Sequence, residues 1–294
     1  MGRGTYRTAA FLLFFESAIL IGCNLPDLAE TPKSTLPPVP SGSIAYYVAD
    51  DAFDINKRRL YLATAGTSEI ETLRVGNGSV YFNDLSWSKD GARLACGYGA
   101  IHIIDVVRGS AFDTTISFPG AFVGSPTWSS DGRLAYWHED SVSRLSEVWI
   151  DGKPLMKNLS TSSSPAWSPD NKYIVVGNNS GLVKVRLADT STVIITSVPS
   201  GFDFALRPAY SPDGTAIVFE LANGDFNEIC LVDSGGSNFR ALQVGSNPTW
   251  SPDGSEIAYD DHFNSGDYAQ IYVMNITGGM KTRILAGVDP AWKN

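Results

Sequence analysis

The sequence predicts an all-β protein, a six-bladed β-propeller with four antiparallel strands in each blade. Three observations lead there. A short phrase recurs five times: Trp87-Ser88-Lys89-Asp90-Gly91, Trp128-Ser129-Ser130-Asp131-Gly132, Trp167-Ser168-Pro169-Asp170-Asn171, Tyr210-Ser211-Pro212-Asp213-Gly214 and Trp250-Ser251-Pro252-Asp253-Gly254. Its aromatic residues are spaced by 41, 39, 43 and 40, and a fixed period of this size marks a repeat architecture. The two ends of the chain supply complementary parts of one further unit.

Each phrase reads as a strand, a tight turn and a second strand. Ser-Pro-Asp-Gly suits a type I turn, with Ser at the first corner, Pro pre-setting φ at the second and Gly after Asp. The last position calls for a left-handed backbone, which Asn171 also tolerates. Lys89 and Ser130 replace Pro without breaking the turn. The Asp residues (Asp90, Asp131, Asp170, Asp213, Asp253) and the aromatics are therefore read as structural. Pro126, Pro165, Pro208 and Pro248 stand two residues before the aromatic, where a first strand can begin without a ladder donor. The aromatics are expected to fill the space between neighbouring sheets, each burying ~150–250 Å².

After each turn comes a short apolar strand: Leu94-Ala95-Cys96, Leu134-Ala135-Tyr136, Ile174-Val175-Val176, Ile217-Val218-Phe219 and Ile257-Ala258-Tyr259. A third strand follows (Ile101 to Val107, Glu147 to Ile150, Leu182 to Leu187, Glu228 to Val232, Gln270 to Met274), then a small turn and a fourth strand. Four strands in ~40 residues describe a propeller blade. At the C-terminus, Asp289-Pro290-Ala291-Trp292 is a first strand with nothing after it, and Ser43-Ile44-Ala45-Tyr46 is a second strand with nothing before it. The last strand is expected to complete the first blade and so remove the free edges.

The phrase Pro-x-Trp-Ser-Pro-Asp-Gly-x-x-Ile-Ala-Tyr, followed by Ile271-Tyr272-Val273-Met274-Asn275 and a Gly-rich turn, resembles the TolB-type (WD40-like, PD40) propeller repeat from about Ser43 to Asn294. That resemblance implies the six-bladed fold. Such propellers occur in binding proteins, in periplasmic translocation machinery and as gating domains of peptidases.

Residues 1–22 have the form of a secretory signal: Arg3 and Arg7 precede a mostly apolar run from Ala9 to Gly22. Leu20-Ile21-Gly22-Cys23 resembles the bacterial lipobox, which implies cleavage before Cys23 and lipidation of its thiol; Glu16 departs from the pattern. Residues 23–42 carry Pro26, Pro32, Pro37, Pro38 and Pro40 with Ser and Thr, the composition of an extended tether. Residues 43–294 form the propeller. The expected address is outside the cytoplasm, in the cell envelope, with the membrane reached through the lipid anchor alone and a monomer as the default of a closed ring. Cys96 and Cys230 fall in apolar strands of different blades and are expected to be buried thiols.

Apolar residues make up 43% and charged residues 18% of the chain, which suits a compact strand-rich protein rather than a disordered one. The net charge is −9, and −10 once residues 1–22 are lost. An acidic chain is poorly suited to nucleic acid, which wants a basic footprint.

Loops between second and third strands vary in length, and the long ones are acidic. The candidate binding face is Asp50, Asp51, Asp54, Glu139, Asp140, Asp225, Glu228, Asp260, Asp261, His262 and Asp267, joined by Glu147 and Glu220, with aromatic residues among them. It would draw a basic or cationic partner: a protein, a peptide or an envelope polymer. No catalytic constellation is recognisable, since Gly-x-Ser-x-Gly is absent and there are three His. No cofactor is expected. Asp50-Asp51 and Asp260-Asp261-His262 offer oxygen ligands for Ca²⁺ but lack calcium-loop spacing. The reading is a non-enzymatic binding platform. Its alternatives are a metal-assisted polysaccharide lyase or hydrolase and a structural envelope protein without a discrete ligand.

Overall fold

The computed structural model describes residues 42–49, 58–65, 70–75, 84–97, 99–109, 113–159, 164–224, 226–261, 269–279 and 281–293. The signal segment, Cys23 and the tether up to residue 41 lie outside them, as do Asp50, Asp51, Asp54, Asp225, His262 and Asp267.

Among the described residues, 24 strands form six four-stranded antiparallel sheets, each a blade. Blade one joins β24 (Val288–Lys293) to β1 (Ser43–Ala49), β2 (Arg58–Thr64) and β3 (Ile70–Val75). Blade two holds β4 (Ser86–Trp87), β5 (Arg93–Cys96), β6 (Ile101–Asp105) and β7 (Thr114–Ile116). Blade three holds β8 (Ala121–Trp128), β9 (Leu134–Asp140), β10 (Ser146–Ile150) and β11 (Lys153–Leu159). Blade four holds β12 (Pro165–Trp167), β13 (Tyr173–Asn178), β14 (Gly181–Arg186) and β15 (Thr192–Ser197). Blade five holds β16 (Phe204–Tyr210), β17 (Ala216–Ala222), β18 (Asn227–Asp233) and β19 (Arg240–Val244). Blade six holds β20 (Ser246–Trp250), β21 (Glu256–Asp260), β22 (Gln270–Asn275) and β23 (Thr282–Ala286). The ring closes as the sequence predicts: Ile44 pairs with Trp292 and Ala45 with Ala291.

The turn motif does what its residues allow. The N–H of Gly91, Gly132, Asn171, Gly214 and Gly254 donates to the carbonyl of the turn's Ser at 2.8–3.2 Å. These five residues have φ between 57° and 88°, which explains Gly four times and Asn once. Each Ser hydroxyl donates to the Asp two residues on, at 2.5–2.7 Å. It also accepts the N–H that opens the next strand, as Glu256 does to Ser251 at 3.0 Å. The Ser is buried and the turn is fastened from inside; Asp is the outer half of the clasp.

Second strands are apolar on both faces because each blade is packed on both sides. Ile174, Val175 and Val176 are all fully buried. Val175 joins the core shared with blade five, while Ile174 and Val176 join Trp167 and Val148 on the blade-three side. The repeat aromatics also tie each blade to its neighbour. The indole N–H of Trp87 donates to the Ala291 carbonyl (3.2 Å), that of Trp167 to Thr127 (3.1 Å) and that of Trp250 to Ala209 (3.0 Å). In each case the acceptor precedes the aromatic residue of the preceding blade. The guanidinium of Arg93 lies over Trp128 and that of Arg133 over Trp167, at 4.4 and 4.6 Å. Cys96 and Cys230 are buried free thiols, and burial pushes the Cys230 thiol up to about 12.

Candidate functional site

The first strands of all six blades line a central channel, an open cavity of about 370 Å³. Its wall runs from the turn residues Lys89, Ser130, Pro169, Pro212 and Pro252 to a ring three residues before each repeat aromatic: Asp84, Ser125, Ser164, Arg207, Asn247 and Asp289. The ring is made by backbone irregularity. Pairing shifts register across Ser125-Pro126, Arg207-Pro208, Asn247-Pro248 and Asp289-Pro290. Asp84, Ser125, Arg207, Asn247 and Asp289 have φ between 45° and 55°. Such bulges re-aim a side chain, and Pro fits the neighbouring position because no ladder donor is needed there. Positive φ at Arg is uncommon, and strain of this kind gathers at functional sites.

A buried charge network crosses the ring. Arg207 Nη1 donates to Glu220 Oε1 at 3.2 Å, within blade five. Its Nε forms an ion pair with Asp84 Oδ1 at 3.6 Å. Asp84 belongs to blade two, diametrically across a six-bladed ring, so the guanidinium spans the channel. Ser125 Oγ donates to Asp84 Oδ2 at 3.0 Å. Asn247 donates its N–H to Glu220 Oε2 (3.1 Å) and its Nδ2 to Asp260 Oδ2 (2.7 Å). The Asp289 N–H reaches the same Asp260 oxygen at 2.9 Å. Asn227 Nδ2 donates to Glu220 Oε1 (2.7 Å) and to Ser246 Oγ (3.1 Å).

Four carboxyl groups thus surround one guanidinium. Burial works against the charged form of Arg207, but Glu220, Asp84, Asp289 and Asp260 together hold it above its usual value. Burial raises Glu220, opposed by Arg207 and the Asn247 N–H. Burial, then the charges of Asp84 and Asp260, push Asp289 well above the usual carboxylate range. The Asp84 N–H donates to Asp289 and works in the opposite direction.

The sequence places the acidic candidates in loops; the structure distributes them differently. Asp260 ends β21 fully buried, within the channel network. Glu220 lies in β17, also fully buried. Glu139 pairs with Arg144 at 2.8 Å. Asp140 accepts the Val142 and Ser143 N–H groups and fastens its own loop. Asp261 accepts the Gln270 N–H at 2.7 Å, and Glu228 sits in β18 opposite Leu221. Of the described candidates, Asp260 and Glu220 join the network. Among the described residues, no group of three or more His, Cys, Asp or Glu is arranged to hold a metal ion. His138 stacks on Trp149, ring centres 4.2 Å apart, in the packing between blades two and three.

Asp84, Arg207, Asn247 and Asp289 escape sequence reasoning that looks for chemistry in loops. The available signal was positional: a polar residue three before the aromatic of each repeat, in five copies preceding Pro.

The architecture and its repeat define a class. Residues 150–290 match the PD40 family, the TolB beta propeller domain. An uncharacterised protein of Agrobacterium fabrum is 27% identical, covering 69% of this chain and 77% of that protein. TolB from Acinetobacter baumannii superposes with a TM-score of 0.67 at 19% identity, covering 88% of this chain and 68% of that one. A putative TolB from Agrobacterium tumefaciens gives 0.62 at 19% identity, covering 84% and 91%. An oligogalacturonate lyase in complex with manganese gives 0.56 at 14% identity, covering 83% and 74%. At these identities the solved structures speak for the fold.

Proposed function

We propose that this protein is a non-enzymatic binding platform of the bacterial cell envelope, exported and held by a lipid on Cys23, which grips a basic segment of a partner protein at its central channel. The observation that carries this reading is that Asp84 and Asp289 line the channel, with the buried Glu220 and Asp260 behind them, around the ring's single cation, Arg207. Carboxylates in a walled cavity focus a negative field more strongly than the same charges spread over loops. The field draws cationic groups, raises association rates and disfavours anionic ones. A ring of variable side chains on a rigid scaffold is also where binding specificity is cheapest to alter.

A photocrosslinking side chain placed at Lys89, at the turn end of the channel, would be compared with one at Val107, which is 76% exposed. Both proteins would be expressed in the native envelope. Crosslinks from Lys89 to a Lys- or Arg-rich segment, with none from Val107, are expected. Crosslinks from Val107 alone, or to acidic segments, contradict the channel as the site.

A further inference from the structure

The contact between Arg207 and Asp84 differs from the rest of the network in kind. Arg207 is tied to Glu220 of the adjacent strand by a hydrogen bond at 3.2 Å, and Glu220 is itself fixed by Asn227 and the Asn247 N–H. Toward Asp84 the same guanidinium offers only its Nε at 3.6 Å, beyond hydrogen-bond distance. That Nε is buried without a hydrogen-bond partner. The Asn247 Oδ1 is another such atom in the same cluster. A buried donor left in this state is costly, so the closed arrangement is not the one in which every group is satisfied. The Arg207 side chain lines the cavity and keeps 38% of its surface open. It therefore has room to move, pivoting on Glu220. Arg207 is also held at φ 45°, a conformation that aims it across the channel and that its own chemistry does not favour.

We propose that Arg207 is an autoinhibitory bar: its guanidinium lies across the channel on Asp84, the place a partner's cationic side chain takes, and it swings back onto Glu220 when that side chain enters. This rests on the reading of the channel as a site for a basic segment and adds how the site is regulated. The bar is a mimic of the guest. It lowers the apparent affinity for any single cation by the fraction of time it is closed. It thereby favours a partner that presents several contacts along the channel over a free cation of the same chemistry.

The test uses methylguanidinium and L-argininamide as probes and the propeller from Ser43, with binding read by calorimetry and by NMR titration. In Arg207→Ala both probes are expected to bind at least ten-fold more tightly than in wild type. Adding Asp84→Asn to that variant is expected to abolish the gain. Arg207→Ala leaves Glu220 without its cation. The double variant Arg207→Ala/Glu220→Gln removes one charge of each sign, so it leaves the network's net charge unchanged, and should show the same gain if the single variant unfolds. Equal binding of the probes by wild type and by both Arg207 variants overturns the bar, as does a gain that survives Asp84→Asn. Either result leaves the crosslinks at Lys89 to decide the channel reading on their own.

Discussion

At the scale of single residues, the repeat is a device for satisfying polar groups in a tight turn. Ser251 is fully buried, donates to Asp253 and accepts the Glu256 N–H. Ser251→Ala would leave that N–H without its partner and cost about 2 kcal/mol, seen as a drop of roughly 4–8 °C in melting midpoint for a domain of this size. The hydrogen bonds from Ser251 and Ser255 hold the Asp253 carboxyl at about 2. Its folded value lies below its unfolded value of about 3.9, so its contribution is present above pH ~4 and lost as pH falls toward 2. Asp90, Asp131, Asp170 and Asp213 are lowered in the same direction by their own Ser partners or, first for Asp131, by Arg133. Melting followed from pH 6 to 2 should fall through that window, and Asp253→Asn should flatten part of the fall. Asp289 has the opposite sign. Its folded value is raised, so stability is lost as pH rises from ~4 through that value. Asp289→Asn removes that titration and is expected to flatten the loss of stability as pH rises; an unchanged pH slope would contradict the raised value.

At the scale of the element, β24 decides whether the ring is closed. It pairs with β1, buries Val288, Ala291 and Trp292, and supplies the carbonyl for the Trp87 indole. Trp292→Ala should cost about 3–5 kcal/mol. Deleting residues 289–294 should abolish the cooperative melt and expose the β1 edge to aggregation, which light scattering would report. This element was legible in the sequence. Asp289-Pro290-Ala291-Trp292 repeats the first-strand pattern and Ser43 to Tyr46 the second-strand pattern, and the two strands pair. The turns were legible too, since Gly and Asn171 stand where φ turns positive. The charge network of the channel was less legible. Glu220 and Asp260 look like loop residues because they end apolar runs, yet their strands carry them into the ring. Arg207 and Asp84 could not be paired by inspection, because only ring closure sets blade five opposite blade two.

At the scale of the whole molecule, the six sheets form a rigid wall and the chemistry is carried by what the wall aims inward. The repeat supplies turns, blade contacts and closure, and it does so with the same residues each time. The residue three before each aromatic is free of those duties, and there the blades differ: Asp, Ser, Ser, Arg, Asn and Asp. Two of the six are Asp and one is Arg, with Asp260 and Glu220 buried behind them. The most direct test is a pull-down from the native envelope with the propeller from Ser43, comparing wild type, Asp84→Asn, and a loop-side pair, Glu139→Gln with Glu228→Gln. A basic partner held by wild type and by the loop-side pair but lost by folded Asp84→Asn is the predicted result. Loss by the loop-side pair with retention by Asp84→Asn would contradict the account and return the site to the loops.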